Sequence, residues 1–257
     1  MIAAARYEFR MMLRKRSLWI SVGVIVALLG VVAARQLGDV IRQGDAKGAM
    51  LSAALLVNIF LPVAYGCLLA DRLVRDHQLG VESILDSTPG RPAARLVGKY
   101  LGVCAAAAVP IAVVYLGFAV GYAVAAGRWT GLPWALAAFG VVHLPAILFV
   151  GAFALAVPLV MPAPLFRVLF VGYWFWGNAI GPDNMPTPAQ SILSASGNYP
   201  LQALLGFDDT AIAGPVPGAA LNILRPEATA ATAWLSVGVL LVIAALTLTA
   251  ATLRHRR

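Results

Sequence analysis

Few residues of this chain carry side chains suited to chemistry, and the distinctive ones lie inside apolar stretches. They are Asn58, His143 and Asn178. Polar groups in hydrocarbon are costly, and they usually face the interior of a helix bundle or a cavity. We therefore consider two roles for them: a structural hydrogen bond between helices, or the lining of a candidate substrate pathway. Nothing in the spacing brings His143 together with Cys67 or Cys104 as metal ligands, and we predict no metal site.

The motifs that would indicate an enzyme are missing from the sequence. It contains no HExxH, no GxSxG and no CxxC pair. The phosphate-binding pattern GxxxxGK[ST] also fails, because Tyr100 follows Gly98 and Lys99 and because Ala93 stands in place of the first glycine. We therefore predict no catalytic residue and no nucleotide site. If ATP drives this protein, another subunit binds it.

The composition is that of a protein surrounded by lipid. Apolar residues make up 61% of the 257 positions, 12% are charged, and the mean hydropathy is +0.84. A soluble domain needs about a quarter of its residues charged to cover its surface. The net charge of +8 does not indicate nucleic acid, because the basic residues cluster beside the apolar stretches. We expect membrane lipid as a partner and no nucleic acid.

Six apolar stretches approach or exceed the length of about 20 residues that a membrane-crossing helix needs. We predict an all-α, polytopic membrane protein that forms a single transmembrane domain over residues 1–257. Residues 132–166 are uncharged and too long for one crossing, so we divide them at the prolines 158, 162 and 164. The predicted spans are 18–34, 49–70, 101–126, 132–160, 165–180 and 228–253. The helix of the third span also carries two GxxxG pairs, Gly98–Gly102 and Gly117–Gly121, which indicate close helix packing.

Basic residues are distributed unequally between the two predicted sides of the membrane. Fourteen lysines and arginines lie on the side of the two termini, and five lie on the other side. Cytoplasmic connections carry the excess of positive charge. We therefore expect both termini in the cytoplasm, in a multi-pass protein of the plasma membrane (the inner membrane of a bacterium).

Three segments outside the spans carry further information. In residues 1–16, apolar residues share one helical face while Arg6, Arg10 and Arg14 line a flank. This pattern predicts a helix in the membrane interface whose arginines contact lipid phosphates, the alternative being a topological signal without a fixed helix. Residues 71–100 form a long cytoplasmic connection with a short amphipathic helix, and Pro92 opens the next helix. Residues 181–227 are too apolar for a free linker, so we expect them to pack on the outer end of the bundle or dip into it.

The connection after the second span resembles the cytoplasmic signature of type-2 ATP-binding-cassette (ABC) exporter permeases. A charged stretch leads into a glycine, a glutamate, an apolar pair, a Ser/Thr-Pro, a basic residue and a Gly-Lys. Here these read Gly80, Glu82, Ile84-Leu85, Ser87-Thr88-Pro89, Arg91 and Gly98-Lys99. The family also has an interfacial first helix, six spans, cytoplasmic ends and an extended outer segment before the last span. This sequence departs from the pattern at residues 76–78, where a more basic stretch is common.

The resemblance implies a permease subunit that works as a dimer, with a second permease copy that is identical or related. Each cytoplasmic connection would act as a coupling helix that docks on an ABC ATPase subunit, and ATP and Mg would lie in that partner. The implied docking residues are Val81, Glu82, Ile84, Leu85, Asp86, Ser87, Thr88, Pro89 and Arg91. The resemblance does not identify the substrate, although the apolar spans favour a hydrophobic or amphipathic one.

Two other functions are compatible with the same topology. The first is a membrane anchor or assembly subunit that transports nothing. The second is an ATP-independent carrier, which is disfavoured because the halves show no repeat and because five of the six predicted spans lack ionisable Asp, Glu, Lys and Arg. A neighbouring gene for a soluble ATPase would favour the ABC permease.

Overall fold

A computed structural model describes residues 1–43, 45–73, 92–207 and 212–254, with side chains described except at 31–43, 92 and 254. This part of the chain contains helices and no strand, which confirms the all-α fold class. Its main helices are α1 (Ile2–Leu13), α2 (Arg16–Gln43), α3 (Ala46–Leu69), α4 (Pro92–Ala126), α5 (Gly131–Ala138), α6 (Leu144–Ala156), α7 (Ala163–Asn178) and α8 (Ala230–Arg254).

Four apolar helical stretches in the described part are long enough to cross a membrane. They are Ala46–Leu69, Ala93–Ala126, Gly131–Leu159 and Ala230–Leu253. These stretches correspond to the predicted spans 49–70, 101–126, 132–160 and 228–253. Four helices of this kind are the pattern of a membrane protein. The other two predicted spans, 18–34 and 165–180, fall on α2 and α7.

Local sequence signals account for several helix ends. The Asp45 carboxylate caps α3 by accepting a hydrogen bond from the Lys47 backbone N–H at 3.0 Å. Thr229 and Thr232 cap α8 reciprocally, each accepting a backbone N–H from the other. Helix α4 begins at Pro92, as predicted. The proline-rich stretch does interrupt the long uncharged run, since one helix ends at Leu159 and α7 begins at Ala163.

Helix α3 lies at the centre of the bundle and contacts α2, α4, α5, α6 and α7. Helix α8 packs on α6 and on the short π-helical turn Pro200–Leu204. Helix α1 packs along the first turns of α4, where Gly98 and Gly102 face the backbone carbonyls of Met1 and Ala5. A Cβ at either glycine would collide with those carbonyls, so the glycines permit this close approach.

The second glycine pair of α4, Gly117 and Gly121, has a different environment. Nothing in the described part lies within 4 Å of a Cβ built at either residue. Packing within the chain therefore explains the first GxxxG pair and not the second.

Candidate functional site

Asn58 and His143 lie together in the middle of the bundle. The Asn58 Oδ1 and the His143 Nδ1 are 3.4 Å apart, and both side chains are buried. The Asn58 Nδ2 donates a hydrogen bond to the carbonyl oxygen of Ala195 at 2.9 Å. Ala195 belongs to the 181–227 segment, so a residue near the midpoint of α3 holds a loop that enters the bundle.

Asn178 reaches the same loop from α7. The Ser194 hydroxyl donates to the Asn178 Oδ1 at 3.1 Å, and Ser194 precedes Ala195 in the chain. The structure therefore brings Asn58 and His143 into direct contact and connects Asn178 to them through two loop residues. We call Asn58, His143, Asn178 and Ser194 the mid-bundle polar cluster.

The loop continues through a chain of buried hydroxyl and amide groups. The Ser194 and Ser196 hydroxyl oxygens are 2.6 Å apart, and the Ser196 hydroxyl donates to the Asn198 Oδ1 at 2.9 Å. Gly197 has a φ of +82° and lies against Val142, where a Cβ would collide. Irregular backbone at membrane depth requires such partners within the protein, because lipid supplies none. The described part of the 181–227 segment thus enters the bundle at this loop, which is one of the two arrangements that the sequence left open.

The short length of α7 leaves space inside the bundle, and the loop that follows α7 occupies it. Its 16 residues span about 24 Å, while the hydrocarbon core of a membrane is about 30 Å thick. The Trp174 indole donates to the carbonyl of Ile59 at 2.6 Å, one turn before α7 ends at Asn178. Helix α7 thus ends beside the middle of α3, and the following chain occupies the space beyond it.

His143 terminates a π-helical turn, Phe139–His143, inside the fourth predicted span. Pro145 follows two residues later and cannot donate to the carbonyl four residues before it. The wider turn accommodates this missing bond, and such turns are frequent at functional sites. The His143 ring packs edge-on against Tyr115 at 4.7 Å, and its Nε2 has no hydrogen-bond partner within the described residues.

A second polar cluster lies at the end of the bundle where α3 ends and α4 begins. Glu8 of α1 is 5% exposed, and its carboxylate lies 3.6 Å from the Arg72 guanidinium and 3.5 Å from the Lys99 amine. Arg72 follows α3, and Lys99 belongs to the second turn of α4. We call Glu8, Arg72 and Lys99 the basal ion cluster. It links α1 to the end of α3 and to the start of α4, the two helices that residues 74–91 connect in the sequence.

Arg167 shows that the junction of α6 and α7 lies at this same end. Its guanidinium donates to the carbonyl of Cys67 at 3.1 Å and pairs with the Asp71 carboxylate. The predicted docking residues Val81, Glu82, Ile84, Leu85, Asp86, Ser87, Thr88, Pro89 and Arg91 lie outside the described residues.

The sequence patterns did not single out Glu8 or Arg225. Glu8 is the one acid among five basic residues in positions 1–16, and that isolation is a usable signal of a buried ion pair. Arg225 is fully buried and donates to the backbone carbonyls of Thr187, Ala189 and Ala220. Every residue has a backbone carbonyl, so the sequence does not indicate which carbonyls accept hydrogen bonds from Arg225.

The three arginines predicted to contact lipid share one exposed side, with Arg6 and Arg10 on α1 and Arg14 as the C-cap residue after it. Arg6, Arg10 and Arg14 are exposed, while Glu8 and Met12 on the opposite side are buried against the bundle.

Comparisons with known proteins assign no family. No family model matches the chain, and no curated protein matches it. No group of three potential metal ligands occurs within the described part.

Proposed function

We propose that this chain is the transmembrane permease subunit of a type-2 ABC exporter. The observation that carries the proposal is the basal ion cluster. In this cluster, Glu8 of α1 contacts Arg72, which follows α3, and Lys99, which lies near the start of α4. These two residues flank the cytoplasmic connection. A force applied to that connection would reach three helices together, which is the requirement for a coupling element.

The proposed topology has six spans and cytoplasmic termini in the plasma membrane. Helices α2 and α7 supply the first and fifth spans, and α7 is completed by the buried loop that follows it. Helix α1 lies in the interface on the cytoplasmic side. Arg72 and Lys99 share the basal end with Arg167, and this grouping of basic residues supports the orientation.

The proposed mechanism assigns ATP and Mg to a cytoplasmic ABC ATPase subunit. ATP-driven closure of two ATPase subunits pushes the 74–91 connections of two permease copies. Glu82, Asp86 and Arg91 supply polar contacts to the ATPase, while Val81, Ile84 and Leu85 pack into its groove. A ligand shifts a conformational equilibrium only by its differential affinity for the two states, so the ATPase must bind the permease differently with and without ATP. We expect the exported substrate to be hydrophobic or amphipathic.

The side-chain amides of Asn58 and Asn178 form hydrogen bonds with Ala195 and Ser194 of the 181–227 segment. These bonds favour a structural role for both asparagines. A substrate-pathway role for Asn58, His143 and Asn178 stays a prediction. A non-transporting anchor or assembly subunit is the alternative function, and it would have the same topology without an ATPase.

Co-purification with the ABC ATPase of a neighbouring gene tests the proposal. We expect the ATPase to remain with the wild-type chain and to be lost from Glu82→Lys, with a partial loss from Glu82→Ala. Asp183→Lys is the matched control, because Asp183 is an exposed carboxylate in the 181–227 segment. Retention of the ATPase by Glu82→Lys would remove the docking assignment, and failure of the wild-type chain to bind it would favour the anchor.

A further inference from the structure

The exposed face of α1 carries a continuous row of positive charge. Arg6 and Arg10 lie one turn apart on α1, and Arg14, the C-cap residue that follows α1, continues the same face at the next step of four. All three are exposed, and none forms a side-chain hydrogen bond or an ion pair with any residue in the described ranges. The described part of the chain therefore leaves these guanidinium groups available to an external anion.

The rotational setting of α1 is fixed by its contacts with the bundle. The carbonyls of Met1 and Ala5 lie against Gly98 and Gly102, and Met12 is 1% exposed. Glu8, the single acid of α1, points into the bundle toward Arg72 and Lys99. The outward face of α1 therefore contains arginines without any carboxylate to neutralise them.

The start of α2 sets the depth of this face relative to the membrane. Helix α2 begins at Arg16, three residues after α1 ends, and its apolar stretch follows at once. Trp19 is exposed, and its indole N–H donates to the carbonyl of Leu13 at 2.9 Å across the junction. Tryptophan is enriched at the membrane–water boundary. In the proposed topology the arginines therefore lie at the level of the lipid phosphates.

We propose that Arg6, Arg10 and Arg14 form a binding site for the head groups of anionic phospholipids of the cytoplasmic leaflet. The planar guanidinium group pairs with phosphate through two parallel hydrogen bonds, and a row of three selects an anionic membrane surface over a zwitterionic one. The bound lipid would hold α1 against α4 and so support the basal ion cluster. This inference rests on the interfacial position of α1 in the proposed topology.

Native mass spectrometry of the full-length chain in mixed micelles tests the site. The probes are phosphatidylglycerol and phosphatidylcholine with the same acyl chains, and the measured quantity is the amount of each lipid retained. We expect the wild-type chain to retain phosphatidylglycerol preferentially. Arg10→Gln should weaken that retention about fivefold, the loss expected for one basic residue near the membrane surface. Arg10→Lys should restore most of it.

Arg128→Gln is the matched control, because Arg128 is an exposed arginine in the connection after α4, at the other end of the bundle. Equal loss of phosphatidylglycerol from Arg10→Gln and Arg128→Gln would overturn the proposal, as would equal retention of the two lipids by the wild-type chain. Displacement of the lipid by millimolar inorganic phosphate would assign the site to free phosphate instead. The experiment needs no ATPase, so its failure would leave the proposed transport function untouched.

Discussion

The Asn58 amide donates a hydrogen bond to the carbonyl oxygen of Ala195, at 2.9 Å and 137 residues further along the chain. The bond matters because Asn58 and Ala195 are both buried, and a buried carbonyl without a partner is costly.

Substitution of Asn58 by alanine should therefore destabilise the fold. The change leaves the Ala195 carbonyl and the His143 Nδ1 without their partner, at a cost of about 1–3 kcal/mol. Thermal unfolding in detergent measures the effect. Thr249→Ala is the control, since the exposed Thr249 hydroxyl bonds only within its own helix. A fall in the unfolding midpoint no larger than that of Thr249→Ala would contradict this role of Asn58.

Replacement of Gly102 by alanine should loosen α1 from α4. The new methyl group would collide with the Ala5 carbonyl, and overpacking of this kind costs about 1–3 kcal/mol. Gly117→Ala is the matched control on the same helix, because it meets open space and should be neutral or stabilising by up to about 1 kcal/mol. Unfolding midpoints of the two variants make the comparison, and equal midpoints would show that the glycine contact is unimportant.

Much of the fold could be predicted from hydropathy and helix signals. The structure describes helices at all six predicted spans, and it places the start of α4 at Pro92 as expected. The helical wheel of residues 1–16 also separated the exposed Arg6, Arg10 and Arg14 from an apolar face. It did not say what covers the apolar face, most of which packs on α4. A wheel shows which residues share a face and not which surface covers it.

The sites were harder to predict because their contacts join distant parts of the chain. Asn58, His143 and Asn178 were recognised individually as polar residues in apolar stretches. Asn58 bonds to a backbone carbonyl of an irregular loop, Asn178 bonds to a serine of the same loop, and His143 contacts Asn58. No periodic pattern indicates where such a loop folds back. The basal ion cluster likewise joins residues 8, 72 and 99.

Loss of the Glu8 charge should weaken the basal ion cluster. Glu8→Gln removes the carboxylate that the buried Arg72 and the partly buried Lys99 share, and the loss of such a charge-assisted contact costs about 1.5–3 kcal/mol. We expect a lower unfolding midpoint and faster trypsin cleavage after the basic residues of α1. Glu227→Gln is the control, because Glu227 is exposed. Identical midpoints and cleavage rates for the two variants would argue against this role of Glu8.

Arg225 should prove essential for the order of the 181–227 segment. Arg225→Met removes every hydrogen bond to the carbonyls of Thr187, Ala189 and Ala220, and the unpaired buried carbonyls should cost at least about 3 kcal/mol. Arg128→Met, at an exposed site, should change stability by about 0.5 kcal/mol or less. Size-exclusion profiles after heating distinguish the two outcomes, and a profile of Arg225→Met that matches Arg128→Met would refute the assignment.

The most direct test of the transport function is ATP hydrolysis by the ATPase of the neighbouring gene, reconstituted with this chain in lipid vesicles. We predict that the wild-type chain and Asp183→Lys change the hydrolysis rate of the ATPase equally, and that Glu82→Lys abolishes the change. A hydrolysis rate that is the same with the wild-type chain, with Glu82→Lys and with the ATPase alone would contradict the account.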